Sequence, residues 1–326
     1  MKFKVAGLLA ASMVVCAPAG AAYSLHDFTL LGSSNVSLHG INDLGAMVGS
    51  VYNGETSYGF IVRGDEVERI SDSTLGDYFI PWGISNTGAV AVSVSGAADN
   101  TTRAYLYEGG KFTLVGEDMY VRGISPDGAY LTGYSSAGSF TYDIARRQFS
   151  AVPELALLQD VNSHGVGVGQ VPLPVEPPYY WSTEAGAMVD LSSGSVRTLR
   201  FDTTTDPYRP GATRLRGIND RGDVAGWATA DDFTFGFHYS ADGVLERFSM
   251  PGASTTWAQG LNNAGVIVGY YFLESDVDVA RAFIAMPSPV PEPGAAWLLA
   301  LGTVGLVAAA RHQRASLPSA LAESSS

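Results

Sequence analysis

The architecture of this chain is set by the stretch Gly217-Ile218-Asn219-Asp220-Arg221-Gly222-Asp223-Val224-Ala225-Gly226, because near-copies of it recur along the sequence. The six copies begin at Gly40, Gly83, Gly123, Asp160, Gly217 and Gly260. The steps between successive starts are 43, 40, 37, 57 and 43 residues, so only the fourth step is long. Self-similarity at such a period indicates a repeat architecture.

Each copy of this motif combines a turn with strands. An aliphatic residue ends an extended run, and Asn or Ser then stands three residues before Gly, as Asn42 stands before Gly45. Such a side chain caps its own backbone, and the glycine takes a backbone conformation that other residues resist. Small and β-branched residues alternate after the turn, as in residues 46–49. We therefore expect a tight turn followed by a strand in every copy.

A conserved spacing places an aromatic residue about twenty positions into each copy, inside another short strand. These residues are Phe60, Tyr105, Phe140, Tyr180, Phe237 and Phe283. A further strand follows in five copies, so a unit of ~40 residues holds three or four antiparallel strands, as one propeller blade does. The predicted fold is all-β, a repeat-built β-propeller with six four-stranded blades over residues 23–286. A seven-bladed ring and an open solenoid are the alternatives.

The sixth copy lacks a last strand, because proline follows Met286. Residues 27–31 precede the first copy and have the form of the missing strand. We expect this segment to pair with residues 270–286 and close the ring. Closure would remove the open sheet edges that invite aggregation.

The motif, with its downstream aromatic strand, resembles the HAF repeat, a probable extracellular repeat. The copies at Gly40, Gly217 and Gly260 match it well, and those at Gly83 and Gly123 carry Ser in place of Asn. The resemblance covers residues 24–286. It implies a repeat architecture and an exported protein, and no defined activity.

Residues 1–22 have the features of a secretory signal peptide, which a signal peptidase would remove. Lys2 and Lys4 precede an apolar stretch, and small residues precede Tyr23. Cys16, the single cysteine, lies in this segment, so we expect neither a disulfide nor a cysteine-ligated metal in the exported chain. The net charge of −13 disfavours nucleic acid as a partner.

The C-terminus has three successive parts. Residues 287–294 form a proline-rich linker, residues 295–310 are uncharged and are predicted to be a transmembrane helix, and residues 311–326 form a basic cytoplasmic tail. The C-terminus resembles the PEP-CTERM sorting signal in the order of its parts. These are Pro291, Glu292 and Pro293, then a short apolar helix, then Arg311 and Arg314. That family is found in Gram-negative bacteria that make exopolysaccharide. The resemblance implies recognition by an exosortase in the inner membrane, passage through 295–310, and delivery to the cell surface or extracellular matrix. A plain single-span anchor is the alternative.

No catalytic, metal or cofactor motif is evident in the sequence. One candidate ligand-binding rim consists of the residue before each motif, because equivalent positions of a propeller fall on a ring. These residues are His39, Trp82, Arg122, Gln159, Arg216 and Gln259. Trp and Arg there could stack on or hydrogen-bond a sugar. We expect a non-catalytic binding or structural protein associated with exopolysaccharide. A secreted glycan hydrolase or lyase that uses loop carboxylates is the alternative.

Overall fold

The computed structural model describes residues 2–4, 23–30, 32–96, 101–173, 184–201, 211–230 and 233–288. Residues 1–287 form one compact unit. The described residues contain no helix, so none that could cross a membrane. The predicted sorting helix at 295–310, the linker from Pro289 onward and the tail lie outside them.

Two strands precede the first repeat, and six groups of antiparallel strands follow. The first two are β1 (Lys2–Lys4) and β2 (Tyr23–Phe28). The first group contains β3 (Val36–Ile41), β4 (Met47–Tyr52), β5 (Ser57–Arg63) and β6 (Glu66–Ile70). The second contains β7 (Tyr78–Ile84), β8 (Val90–Ser95), β9 (Thr102–Glu108) and β10 (Lys111–Glu117). The third contains β11 (Met119–Ile124), β12 (Tyr130–Ser135), β13 (Gly138–Asp143) and β14 (Gln148–Ala151).

The remaining groups follow the same order. The fourth contains β15 (Leu157–Val161), β16 (Val166–Pro172), β17 (Glu184–Asp190) and β18 (Val196–Leu199). The fifth contains β19 (Thr213–Ile218), β20 (Val224–Ala230), β21 (Phe233–Tyr239) and β22 (Leu245–Phe248). The sixth contains β23 (Ala253–Leu261), β24 (Ile267–Leu273) and β25 (Asp276–Pro287), with β2 as its fourth strand.

Single bridges join some neighbouring groups into larger sheets. The Ser57–Tyr78 pair links the first group to the second, and the Thr234–Thr255 pair links the fifth to the sixth. The sheets therefore hold nine, four, four and eight strands, with β1 added to the outer edge of β6.

The N-terminal strand completes the sixth group, as the sequence predicted. Phe28 pairs with Ala282, within the expected segment. The strand begins at Tyr23 and ends at Phe28, earlier than the predicted 27–31, because a turn follows in which the Ser33 N–H donates to the Leu30 carbonyl. β25 extends to Pro287, which pairs with Tyr23 at the end of the strand, so the predicted linker begins inside the last strand.

The turn of every motif has the predicted geometry. The fourth residue of each turn is a glycine with φ between +75° and +88°, a region that side chains disfavour. These glycines are Gly45, Gly88, Gly128, Gly165, Gly222 and Gly265. The Asn or Ser three residues earlier accepts hydrogen bonds from the turn, as the Asn42 Oδ1 atom does from the N–H groups of Leu44 and Ala46.

The same asparagines have a second role that the sequence reasoning missed. Each donates its Nδ2 hydrogen to a carbonyl of the next motif turn, at distances of 2.9–3.2 Å. These bonds run from Asn42 to Ser85, from Asn162 to Asn219, from Asn219 to Asn262, and from Asn262 back to Asn42. We call this chain of bonds the amide belt. Its last member joins the sixth group to the first across 220 residues of sequence.

The two junctions without such an asparagine use other bonds. The Asn86 N–H donates to the Pro126 carbonyl between the second and third groups. The Thr132 hydroxyl donates to the Gln159 carbonyl between the third and fourth. Serine at positions 85 and 125 caps its turn but has no amide to donate, which explains why these junctions differ.

The apolar core is divided among the same junctions. Buried apolar side chains of the described residues form six clusters, and each lies where two consecutive groups meet or where the sixth meets the first. The predicted aromatic positions supply fully or nearly fully buried rings, including Phe60, Phe237 and Phe283. Each of these three faces a motif glycine across the sheet, such as Gly49 for Phe60, because only glycine leaves room for the ring edge.

The fourth repeat departs from the prediction. Tyr180 was expected in its third strand, but that strand is β17, and Ala187 takes the position opposite the motif glycine Gly169. Tyr180 itself lies outside the described residues. The extra length of this repeat falls between β16 and β17 and between β18 and β19, so a count of residues from the motif does not locate the residue that pairs with Gly169.

Asp160 also distinguishes the fourth repeat, because it stands where five motifs have glycine. Those glycines lie where inner strands of neighbouring groups approach closely: a Cβ atom on Gly40 would lie 2.7 Å from the Trp82 carbonyl oxygen. Asp160 instead points its carboxyl group to the next group, where it accepts the Ile218 N–H at 3.2 Å. Burial raises the pKa of this carboxyl group to about 7.

We predict that Asn262→Ser lowers the free energy of unfolding by about 0.5–1.5 kcal/mol, because it removes the bond that crosses the junction and leaves the Asn42 carbonyl with the Gly45 N–H alone, while a serine cap remains. Asn262→Ala should cost more, since it also removes the cap from the N–H groups of Ala264 and Val266. Urea denaturation of the purified protein measures both. Equal stability of Asn262→Ser and the wild type would show that the belt does not hold the first and sixth groups together.

We predict that Asp160→Asn becomes more stable relative to the wild type as the pH rises from about 4 to 7, and that the difference is constant above that range. In this window the folded chain retains a proton that the unfolded chain releases, so ionisation of Asp160 disfavours folding increasingly as pH rises. Asparagine keeps an oxygen acceptor for the Ile218 N–H and does not titrate.

Asp190→Asn is the matched control for this measurement. Hydrogen bonds from Ser192 and Ser193 lower the pKa of Asp190, so this variant should lose stability relative to the wild type as the pH rises through the acidic range. Thermal unfolding at a series of pH values gives both trends. A stability difference for Asp160→Asn that is independent of pH would contradict the assignment.

Candidate functional site

The six predicted rim residues share one local structure, which is a β-bulge. In every group the first strand has an extra residue immediately before the motif, and the register with the second strand shifts there. A bulge leaves one residue unpaired and changes the direction of its side chain. The unpaired residues are His39, Trp82, Arg122, Gln159, Arg216 and Gln259.

The bulges bring these six side chains together. All six line one cavity of about 50 Å³, together with the aliphatic residues and turn amides of the motifs. They also contact one another across group boundaries. The His39 and Trp82 ring centroids are 4.7 Å apart, the Arg122 guanidinium lies 3.9 Å from the Trp82 ring centroid, and Arg216 donates to the Gln159 Oε1 atom at 2.7 Å.

A second layer of residues lies beside the bulges, on the side away from the motif turns. It consists of six cross-strand pairs, each joining the residue two before the bulge to its partner on the second strand. We call them the inner pairs: Ser37–Ser50, Ile80–Ser93, Tyr120–Tyr134, Leu157–Gln170, Arg214–Trp227 and Trp257–Tyr270.

The aromatic inner pairs and the bulge residues form a continuous arc. Tyr120 stacks on Tyr134 with a centroid distance of 5.2 Å, and the Tyr134 hydroxyl accepts a hydrogen bond from Arg122 at 2.9 Å. From Arg122 the arc passes through Trp82 and His39 to Tyr270, as their ring contacts show.

The arc continues from Tyr270 into the fifth group. Tyr270 meets Trp257 edge to face at 5.1 Å, and Trp257 stacks on Trp227 at 5.6 Å. The Arg214 guanidinium lies 4.8 Å from the Trp227 ring centroid and forms an ion pair with Glu184 of the fourth group. The rings and cations of the arc therefore belong to five of the six groups.

The electrostatic environment of the arc is cationic. Arg122 and Arg216 have no carboxylate within ion-pair distance among the described residues, and burial together with Arg122 lowers the pKa of Arg216 to about 10. Burial and the two arginines lower the pKa of His39 to about 3, so its imidazole is neutral at physiological pH. Burial also raises the pKa of the Tyr270 hydroxyl.

The opposite end of the cavity is built from the motif turns and is rich in amides and carboxylates. The Asn263 N–H donates to the Asp43 Oδ1 atom at 2.7 Å, and the Asn86 Nδ2 atom donates to the Asp43 Oδ2 atom at 2.7 Å. Asp220 accepts the Ser163 N–H and Asn263 accepts the Asp220 N–H. Asp43 and Asp160 line the cavity, and both carboxylates are bonded to groups of neighbouring repeats.

Sequence reasoning thus selected the bulge residues and missed the inner pairs. A usable signal was present, because the inner-pair residue of the second strand follows the last motif position directly in five copies, as Tyr270 follows Gly269. In the third copy Tyr134 comes one residue later. No group of side chains that could hold a metal ion is found in the described ranges. The sorting residues Pro291, Glu292, Pro293, Arg311 and Arg314 lie outside them.

Comparison with known proteins gives one family match and a set of structural neighbours. Residues 289–314 match the PEP-CTERM protein-sorting motif, which supports an exported protein that is sorted by an exosortase and passes the membrane during sorting. No curated protein matches the chain. None of these comparisons supports the resemblance to the HAF repeat, which stays a prediction.

The structural neighbours are β-propeller-like proteins. A putative TolB from Agrobacterium tumefaciens aligns with a TM-score of 0.51 and 14% identity, over 79% of this chain and 99% of that chain. The tricorn protease aligns with a TM-score of 0.49 and 16% identity over 74% of this chain. This chain spans only 25% of the length of the tricorn protease. The polysaccharide lyase Uly1 aligns with a TM-score of 0.41 and 10% identity, over 78% of this chain and 77% of that chain. The fold of this chain is therefore all-β and propeller-like.

Proposed function

We propose that the six strand groups are the blades of a closed, six-bladed β-propeller that binds extracellular polysaccharide without catalysis at the cell surface or in the matrix. The sixth-to-first bond of the amide belt and the core cluster at each junction support the blade number. The PEP-CTERM motif supports export. The expected partners are an exosortase, a signal peptidase and the polysaccharide itself.

The observation that carries the binding role is the arc of aromatic rings at one end of the axis. A sugar ring presents a face of C–H groups, which packs well on an aromatic face, while hydroxyl groups need hydrogen-bond partners at its edge. The arc offers Trp82, Tyr120, Trp257 and Tyr270 as partly exposed rings with arginine side chains between them. Such a mixture of apolar faces with a few placed polar groups is typical of ligand sites.

The carboxylates support binding over hydrolysis. Glycosidases place two carboxyl groups on either side of the bond that is cleaved. Here Asp43 is bonded to the amides of Asn86 and Asn263, and Asp160 accepts a backbone N–H, so both act in the junctions between groups. The aromatic arc lies on the other side of the bulge residues. We therefore favour a non-catalytic role over the alternative of a glycan hydrolase or lyase.

We predict that Trp82→Ala weakens binding of the purified protein to the extracellular polysaccharide of its own host by roughly tenfold or more, because a central aromatic contact is lost. Phe149→Ala is the control, since Phe149 is an exposed ring on β14, the last strand of the third group. Intrinsic fluorescence titration measures both affinities. Equal loss in the two variants, or release of shortened glycan on incubation, would contradict the proposal.

We predict that the exported protein lacks residues 295–326 and that substitution of Pro291, Glu292 and Pro293 by alanine leaves this segment attached and the protein in the membrane fraction. The reason is that the exosortase is expected to cut near this motif. Pro289→Ala, in the same linker, is the control and should be processed normally. Intact mass and cell fractionation measure the outcome. A wild-type mass that includes 295–326 would indicate an ordinary membrane anchor.

A further inference from the structure

Arg122 and Arg216 are two partly buried cations without an anionic partner in the protein. The Nε atoms of both are shielded from solvent and find no acceptor among the described residues. Their remaining bonds go to neutral groups, the Tyr134 hydroxyl and the Gln159 amide. A buried charge is costly unless an opposite charge or strong acceptors compensate it.

No carboxylate of the described residues lies within ion-pair distance of these arginines, because Asp43 and Asp160, which line the same cavity, are bonded at its turn end. The Trp82 Nε1 hydrogen has no acceptor within the described part of the chain. His39 is neutral, for the reasons given above, and its Nε2 atom contacts the Ser50 hydroxyl at 2.9 Å. Gln259 is buried and lines the same cavity. The donor groups around the two arginines therefore converge without a shared acceptor.

The cavity is too small for a sugar ring and large enough for a carboxylate. A benzene-sized molecule occupies a cavity of about 150 Å³, whereas one water needs roughly 10–15 Å³ of such space. The cavity lined by the six bulge residues has about 50 Å³. A ring must therefore remain at the aromatic arc, and only a small substituent of that ring can reach between the bulge side chains.

We infer that the site selects acidic polysaccharide, with the carboxylate of a uronic acid residue held by Arg122 and Arg216 while its ring rests on the aromatic arc. This specificity rests on the proposed carbohydrate-binding function and extends it. A guanidinium group matches a carboxylate through two parallel N–H donors, which an ester or an alcohol at the same position does not reproduce. The ligand thus completes the ion pairs that the protein leaves open.

The test compares three probes of the full protein: polygalacturonate, methyl-esterified polygalacturonate and the neutral polymer dextran. Fluorescence titration in a buffer of physiological ionic strength gives the affinities. We expect polygalacturonate to bind at least tenfold more tightly than its ester. The variant with both Arg122→Gln and Arg216→Gln should bind acid and ester alike. The variant with both Arg122→Lys and Arg216→Lys, which keeps the charges but loses the planar forks, should retain only part of the preference.

Arg197→Gln is the matched control, because Arg197 lies on β18, the last strand of the fourth group, and its guanidinium contacts Tyr239 of the fifth group. It should keep the full preference for the acid, and thermal unfolding confirms that each variant is folded. Equal affinity of the wild type for acid and ester would overturn the acidic specificity and leave the carbohydrate-binding function standing. If the protein binds none of the three probes and does not bind the host polysaccharide, the acidic specificity and the carbohydrate-binding function are both overturned. A preference that survives the double glutamine variant would also overturn the assignment to these arginines.

Discussion

The hydrogen bond from the Asn262 side chain to the Asn42 carbonyl, and its equivalents at three other junctions, is the constraint on which the rest of the structure depends. A four-stranded antiparallel group cannot bury both of its faces, so it needs a neighbour on each side. The belt fixes how each group meets the next at the inner strands, because the carbonyl that accepts the N–H of its own turn glycine also accepts the amide of the neighbouring group. The apolar clusters then fill the space between the sheets farther from the belt.

The belt and the bulges fix where the site residues lie, but the side chains at these positions differ from group to group. All six groups use the same backbone geometry, so each places one bulge residue at the shared cavity and one inner pair beside that residue. The backbone does not specify which side chains occupy these positions. Three inner pairs carry aromatic residues, and the others carry serine, isoleucine, leucine or glutamine. A repeated scaffold therefore supports a cluster of rings and cations that is not repeated.

Much of the fold could be predicted from the sequence, because its strongest determinants are local. Each turn glycine and its cap are three positions apart, and all six glycines have the expected backbone conformation. The pairing of β2 with β25 followed from a missing strand. The bulges could not be predicted from the sequence, because they depend on how the first and second strands of a group pair. The inner pairs depend on the same pairing and could not be predicted either. Spacing from the motif did not locate the residue that pairs with Gly169, which is Ala187, because the fourth repeat carries extra residues. The donor role of Asn262 depends on the contact between the sixth group and the first, which the sequence does not show.

The account is tested most directly by a crystal structure of the protein with a bound galacturonate oligosaccharide. We expect one sugar ring to lie against the aromatic arc, with its carboxylate within hydrogen-bond distance of Arg122 or Arg216, and the Asn262 side chain to contact the Asn42 carbonyl in the same crystal. A sugar bound on the outer strands or at the turn end near Asp43 would contradict the proposed site. A gap between the first and sixth groups would contradict the closed ring itself.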